Sequence, residues 1–388
     1  MINISHVLTP QVIEWHVDSV RKRFHSILKN SPELKELSRM EARFYRDICV
    51  AKATCRELIG CSAEQLSTFF TSALFEKHKL YFVLCLSQEL RKPYETQPFF
   101  QHFVTNLPRD FYQNGIAQNV EDISQMVRRR AATFFGYGYF SKVIGKKFDK
   151  EQWNGYSFSK KLEVKVCPTC NSADSSTVYE EQAEIEGKVS VVCRAPLDHY
   201  YSKSKYPFFA MTAANLIPSC ERCNSSLKRE TDYMYKPHLR PYKEGLEDYA
   251  TFICEPKAAI QDVIKAACNP KYVKAHNYRF DVLCKQLNQK GVARLANERS
   301  KNSLSDMGIL QRYNENVEQH QAFLVKLFFT TEHFVEQQLG FFHGFTKKEV
   351  IENYLEVDFS GVDVTYKPYA LLKKHVSQSI LDKNNVQY

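Results

Sequence analysis

The sequence predicts an α+β fold that is mostly α-helical, with a small central unit set between helical N- and C-terminal domains. Three observations predict it. Apolar residues recur three and four apart on both sides of the middle, as core-facing helices require. The stretch from about 160 to 245 turns instead to short β-branched runs separated by polar loops. That same stretch holds two Cys-x-x-Cys pairs. A chain of 388 residues exceeds one ordinary core, and the expected divisions are 1–160, 161–250 and 251–388.

In the first region, Ser31-Pro32-Glu33-Leu34 reads as an N-cap with proline at the first helical position, and Ser62-Ala63-Glu64-Gln65 as a capping box. Leu66, Phe69, Phe70, Leu74 and Phe75, then Val83, Leu86 and Leu90, form the apolar stripe. Residues 127–150 interleave Arg128, Arg129, Arg130, Lys142, Lys146 and Lys147 with Phe134, Phe135, Tyr137, Tyr139 and Phe140. Such a mixture can track a phosphate backbone and stack on bases, or form a buried aromatic turn with a solvated basic face.

In the middle, Val164, Val166, Val178, Val189, Val191 and Val192 suggest short strands around the polar loop 171–176. Helical periodicity returns from about 257, clearest at Leu310, Tyr313, Val317, Leu324, Leu327 and Phe328. The tail has an alternating segment, Val357, Phe359, Val362, Val364 and Tyr366, and a final helix over 369–381.

Lysine plus arginine number 53 against 44 aspartates and glutamates, a formal charge of +9 that favours an anionic partner. The N-terminus lacks a basic region followed by an apolar one, and the apolar runs at 80–86 and 323–329 are too short to span a bilayer. The expectation is a cytoplasmic protein with no membrane association. Eight of the twelve cysteines (Cys49, Cys55, Cys61, Cys85, Cys193, Cys254, Cys268 and Cys284) are scattered and expected to be reduced and buried.

The other four form Cys167-Pro-Thr-Cys170 and Cys220-Glu-Arg-Cys223. Each pair makes a tight turn that aims two thiolates at one point, and two pairs complete a tetrahedral S₄ site suited to Zn²⁺. A closed four-thiolate site has no position for substrate, so this zinc is expected to be structural. Between the pairs lie Asp198 and His199, a loop carrying Lys203 and Lys205, and Asn215; Asn224 follows the last cysteine directly and Lys228 comes four residues later.

These types suit phosphodiester cleavage. An aspartate and an asparagine oxygen can hold one Mg²⁺ while leaving it mostly to water and phosphate. A neutral histidine can take a proton from the attacking water, and the metal can stabilise charge on the phosphate. Lys203, Lys205 and Lys228 are candidates for substrate phosphate contact, with a solvated surface role as the alternative. His238 reads as structural, with a phosphate or metal contact as its alternative. The tyrosines of the loop, Tyr200, Tyr201 and Tyr206, fit either packing or nucleic-acid contact.

The segments CPTC, LDHYYSKSKYP and NLIPSCERCN with the trailing lysine together resemble the HNH nucleases whose ββα-metal core is stapled by four cysteines, over about residues 164–240. The resemblance implies His199 as general base and Asp198 and Asn224 as ligands of the catalytic Mg²⁺, with Mn²⁺ as an alternative ion. It also implies Asn215 as the residue that fixes the loop through backbone hydrogen bonds, and Cys167, Cys170, Cys220 and Cys223 as the structural zinc set. The expected reaction is cleavage of DNA to 5′-phosphate and 3′-hydroxyl ends. Asn224 stands where many members carry histidine; asparagine variants occur among active members, and loss of an imidazole weakens the case for softer ions. The flanking helices more loosely resemble HNH effectors of bacterial anti-phage operons of the Septu and retron types, which work with a separate ATPase. A regulatory protein partner is therefore expected. The competing readings are a non-catalytic zinc module that binds nucleic acid or protein, and an RNA-cleaving enzyme.

Overall fold

The computed structural model describes residues 1–141, 153–179, 192–229, 231–256, 278–285 and 290–388. The first region consists of α1 (Pro10–Asn30), α2 (Arg39–Val50), α3 (Lys52–Ile59), α4 (Ala63–Ser67), α5 (Ala73–Lys77), α6 (Lys79–Cys85), α7 (Gln88–Glu95) and α8 (Pro98–Thr105). A small hairpin, β1 (Tyr112–Gln113) with β2 (Ile116–Ala117), precedes α9 (Val120–Phe135), α10 (Tyr137–Phe140) and α11 (Gly155–Leu162). The longest of these, α1, starts where Thr9 accepts a hydrogen bond from Val12 N and Pro10 takes the first helical position. The similar signal at Ser31-Pro32 yields only a 3₁₀ turn, Pro32–Leu34.

The capping box at Ser62 forms with both reciprocal bonds, yet it opens a helix of five residues. The chain caps again at Ser72, whose side chain accepts from Phe75 N, so the apolar stripe is shared among several short helices. Its members are buried except Phe70, which is half-buried. The core they join is aromatic: Phe44 stacks on Tyr81 at 4.0 Å and Tyr45 on Phe134 at 4.1 Å. Phe134, Phe135 and Phe140 are core residues, which decides the reading of 127–141 for packing at these rings. Arg130 pairs with buried Glu41, and Arg128 donates to Ser204 O. Lys142, Lys146, Lys147 and the Tyr139 side chain lie outside the described residues.

The central region holds two short antiparallel pairs, β3 (Val178–Tyr179) with β4 (Val192–Cys193) and β5 (Leu197–His199) with β6 (Leu216–Pro218), followed by a π-helical turn, Arg222–Lys228. Val166 makes an isolated bridge to Asp174, Val164 is buried outside any strand, and Val189 and Val191 lie outside the described residues. The last region, expected to be helical, also carries strands. It opens with the longest strands among the described residues, β7 (Ala250–Pro256) paired antiparallel with β8 (Tyr278–Cys284). Tyr278 and Phe280 are buried while Arg279 between them is exposed, the period of two that marks a half-buried strand.

Helices α12 (Lys290–Asp306), α13 (Ile309–Glu315), α14 (Gln321–Phe329), α15 (Glu332–Phe341), α16 (Lys347–Leu355) and α17 (Ala370–Lys383) follow, with α17 laid on β7. Tyr313, Val317, Leu324 and Leu327 are buried there. The alternating segment 357–366 forms no strand; it contains a 3₁₀ turn, Val362–Thr365, that leaves Val362 70% exposed.

One apolar core runs through all three regions. Phe208 and Phe209, in the loop between β5 and β6, pack on Phe69 of the helical region. The same loop is tied to α1 by His16, whose Nε2 donates to Met211 O at 2.7 Å while its Nδ1 accepts from the Trp153 indole at 3.0 Å. Ile2 N donates to Pro168 O and Ile4 N to Pro241 O, so the chain start is woven into the centre. Cys49, Cys55, Cys61, Cys85 and Cys254 are buried, whereas Cys193 and Cys284 are exposed at strand ends and Cys268 lies outside the described residues. Among the described residues no helix is long and apolar enough to cross a membrane.

Candidate metal centre and active site

Cys167, Cys170, Cys220 and Cys223 are all buried, and their sulfur atoms lie within 4.8 Å of one another. The Cys170 and Cys220 sulfurs are 3.9 Å apart, close to the edge of about 3.8 Å that four sulfurs at about 2.3 Å from a zinc ion require. The donor set and spacing fit a metal such as zinc. Hydrogen bonds from neighbouring thiols drive the Cys170 thiol far below its ordinary pKa, while burial pushes Cys167 up.

The knuckle is held from outside. Tyr313 Oη donates to Cys170 O at 2.6 Å and Arg312 Nη1 to Cys223 Sγ at 3.4 Å, both from α13. Asn171, in the left-handed region at φ +49°, accepts from Tyr369 N and Leu371 N and donates to Val364 O. The last region thus grips the first Cys-x-x-Cys turn through main chain as well as side chain.

Strand β5 places Asp198 and His199 opposite Ile217 and Leu216 of β6. The loop between the strands closes on Asn215, which is fully buried. Its Oδ1 accepts from Tyr201 N at 2.7 Å, and its Nδ2 donates to Tyr201 O and Phe209 O, both at 3.0 Å. The three tyrosines are buried and their hydroxyls are engaged: Tyr200 donates to His238 O, Tyr201 accepts from Arg240 and Tyr206 donates to Asp232. They pack.

His199 is 8% exposed, and its Nε2 donates to Ala210 O at 3.1 Å. Because the carbonyl can only accept, the proton sits on Nε2 and Nδ1 keeps its lone pair in the neutral ring. Burial, reinforced by the nearby Lys203 and Lys228, pushes its pKa down to about 3, so the ring is neutral at physiological pH. The ring of Tyr137, from α10, stands edge-on to it at 4.3 Å.

Asn224 follows the second Cys-x-x-Cys turn, its N–H donating to Cys220 O at 3.0 Å, so the knuckle sets its position. Lys228, four residues on, is 3% exposed. Its Nζ donates to Asp198 Oδ1 at 2.6 Å and also to His199 O. The ammonium therefore neutralises and orients Asp198.

These side chains line one pocket of about 280 Å³, which includes Asp198, His199, Lys203, Asn224 and Lys228. Lys203 holds its ammonium 4.4 Å from the centre of the Tyr137 ring. Lys205 lies elsewhere, 3.5 Å from Asp232, and does not line the pocket. His238 is also apart: its Nδ1 faces Lys236 O at 2.6 Å, its Nε2 faces Asp306 at 3.0 Å, and it stacks on Tyr233.

The pocket also contains residues the sequence reading did not single out for it, Tyr137, Arg194, Ser202 and Arg229. Tyr137 and Arg194 come from segments outside the spaced motifs and converge only in the fold. Arg229 could have been suspected, as the cation directly after Lys228; it adopts φ +48°, a strained value for a side chain with a Cβ. Asp198 is the sole carboxylate among the lining residues, against four cations: Arg194, Lys203, Lys228 and Arg229.

Comparison with protein-family models, with curated proteins and with solved structures gives no match to this chain.

Proposed function

We propose that this chain is an HNH-type, metal-dependent endonuclease that hydrolyses phosphodiester bonds in DNA. The observation that carries the reading is the convergence of Asp198, His199 and Asn224 on one pocket whose other charged side chains are all cationic. A carboxylate, a neutral imidazole and an amide at the floor of a positive cleft form a reagent set for a phosphodiester, an anion that must be attacked by water.

His199 Nδ1 accepts the proton of the attacking water, and Ala210 O holds the ring in the tautomer that leaves this nitrogen free. Asp198 and Asn224 are the residues that would hold Mg²⁺. Asp198 Oδ1 is engaged by Lys228 and Oδ2 is left over, while the Asn224 amide has no side-chain hydrogen bond among the described residues. An oxygen-only donor pair of this kind fits a hard ion that keeps most of its water. When bound, the ion supplies stabilisation of negative charge on the phosphate and the leaving oxygen. Lys203 adds positive charge at the pocket edge, and Lys228 keeps Asp198 aimed.

The looser likeness of the flanks to anti-phage effectors supports a chain whose activity is restrained by a protein partner. Incubation of the purified chain with labelled duplex DNA and labelled RNA, across a Mg²⁺ titration, tests the reading. Cleavage of DNA that depends on Mg²⁺ and is lost in Asp198→Asn and Asn224→Ala is expected. Cleavage of RNA alone would move the substrate, and cleavage that survives both substitutions would remove these residues from the chemistry.

A further inference from the structure

We propose that Arg194 anchors the substrate phosphate in this pocket, and that the helical region around α10 and α11 holds it in place for that task. The inference rests on the nuclease reading only for the identity of the substrate as a nucleic acid.

Of the four cations that line the pocket, three are unsuited to a fixed anchoring role. Lys228 is spent on Asp198 and on His199 O. Lys203 is exposed, on a flexible stem against Tyr137. Arg229 is exposed and donates its Nε to Ser226 O.

Arg194 differs from each. It sits between β4 and β5, half-buried, and its guanidinium is fixed on three sides. Nη1 donates to Ala195 O at 2.9 Å, Nη2 donates to Ser141 O at 3.2 Å, and the Tyr156 ring lies 5.0 Å away. Gly155, the first residue of α11, leaves the room it needs: a Cβ there would stand 3.2 Å from Nη2. Ser141, Gly155 and Tyr156 all belong to the helical region, so this region sets the guanidinium beside β5.

Two carbonyls orient a guanidinium without neutralising it. No carboxylate pairs with Arg194 among the described residues, and its buried Nε has no hydrogen-bond partner there. A planar fork with N–H groups left over, rigidly held and with its charge unmatched, is built for an oxyanion with two acceptor oxygens. In a pocket whose one carboxylate is already paired, that oxyanion is a phosphate of the bound strand.

The experiment measures binding of a fluorescein-labelled DNA duplex by anisotropy, in Mg²⁺-free buffer so that no cleavage intervenes, as a function of salt. The full zinc-loaded chain is compared with Arg194→Gln, Arg194→Lys and Gly155→Ala, each checked for zinc content and melting temperature. Arg194→Gln is expected to weaken binding about 10-fold and to reduce the salt slope by about one ion. Arg194→Lys should recover only part of the loss, because an ammonium lacks the fork, and Gly155→Ala should weaken binding through displacement of the guanidinium. Wild-type affinity and salt slope in Arg194→Gln would overturn the proposal, as would full recovery by lysine. Should Arg194→Gln fail to fold, Arg194→Lys and Gly155→Ala decide, and unchanged binding in both overturns it. The outcome is separable from the chemistry: if His199→Ala still cleaves while Arg194→Gln binds weakly, the anchor stands and the nuclease mechanism falls.

Discussion

The knuckle and the pocket share a stretch of chain, with Cys223 in one and Asn224 in the other, yet they are built in opposite ways. Around the four thiols the neighbouring polar groups are committed to holding the turn, from Tyr313 Oη on Cys170 O to the four hydrogen bonds of Asn171, one of them from its N–H to Cys167 O. In the pocket the groups are left with spare valence: His199 keeps Nδ1, Asp198 keeps one oxygen and Arg194 keeps its charge. Two histidines make the same point. His238 has both ring nitrogens engaged and is a strut, while His199 has one engaged and can act as a reagent. Residue type does not separate scaffold from chemistry; uncommitted donors and acceptors do.

The largest effect expected from breaking this comparison is at the knuckle. Cys220→Ser, or a chelator that strips the metal these four thiols would hold, should destabilise the protein by more than about 4 kcal/mol, because a metal held only by the folded site adds its binding energy to folding. Chemical denaturation monitored by circular dichroism checks this, and unchanged stability would show that the thiols need no ion. Next comes Asn215→Ala, which leaves the buried Tyr201 N–H and Tyr201 O without partners, takes one of two donors from Phe209 O, and should cost about 3 kcal/mol by the same measurement. Lys228→Met leaves a mostly buried Asp198 without its cation and should cost about 2 kcal/mol together with most of the cleavage activity. If Lys228→Met cleaves normally, orientation of Asp198 is not its role. The smallest change is His238→Gln, expected to lower stability by about 1 kcal/mol and to leave the cleavage rate of the folded protein unaltered; a rate loss comparable to that of a pocket residue would erase the distinction between the two histidines.

Much of this contrast was legible in the sequence, because spacing alone pairs Cys167 with Cys170 and Cys220 with Cys223 and sets Asn224 directly after the last of them. Helix starts were legible where a side chain caps the backbone, as at Ser62, but the length of the helix was not, since later caps at Ser72 interrupt the stripe. The hairpin of β7 and β8 escaped because its two strands lie far apart in the chain and the helical periodicity that follows dominates the region. Tyr137 and Arg194 were illegible as pocket residues for a related reason: only tertiary contact brings the helical region against β5. The buried state of Lys228 was equally hidden, since a lysine at a helix end reads as solvated until its carboxylate partner is placed.

The central claim is that the uncommitted nitrogen of His199 does chemistry in a pocket supported by the knuckle. The direct measurement is the Mg²⁺-dependent cleavage of supercoiled plasmid by the wild-type chain and by His199→Ala, both carrying one zinc per chain and melting at the same temperature. The account predicts a fall in rate of at least about 100-fold for His199→Ala; equal rates for the two proteins would contradict it.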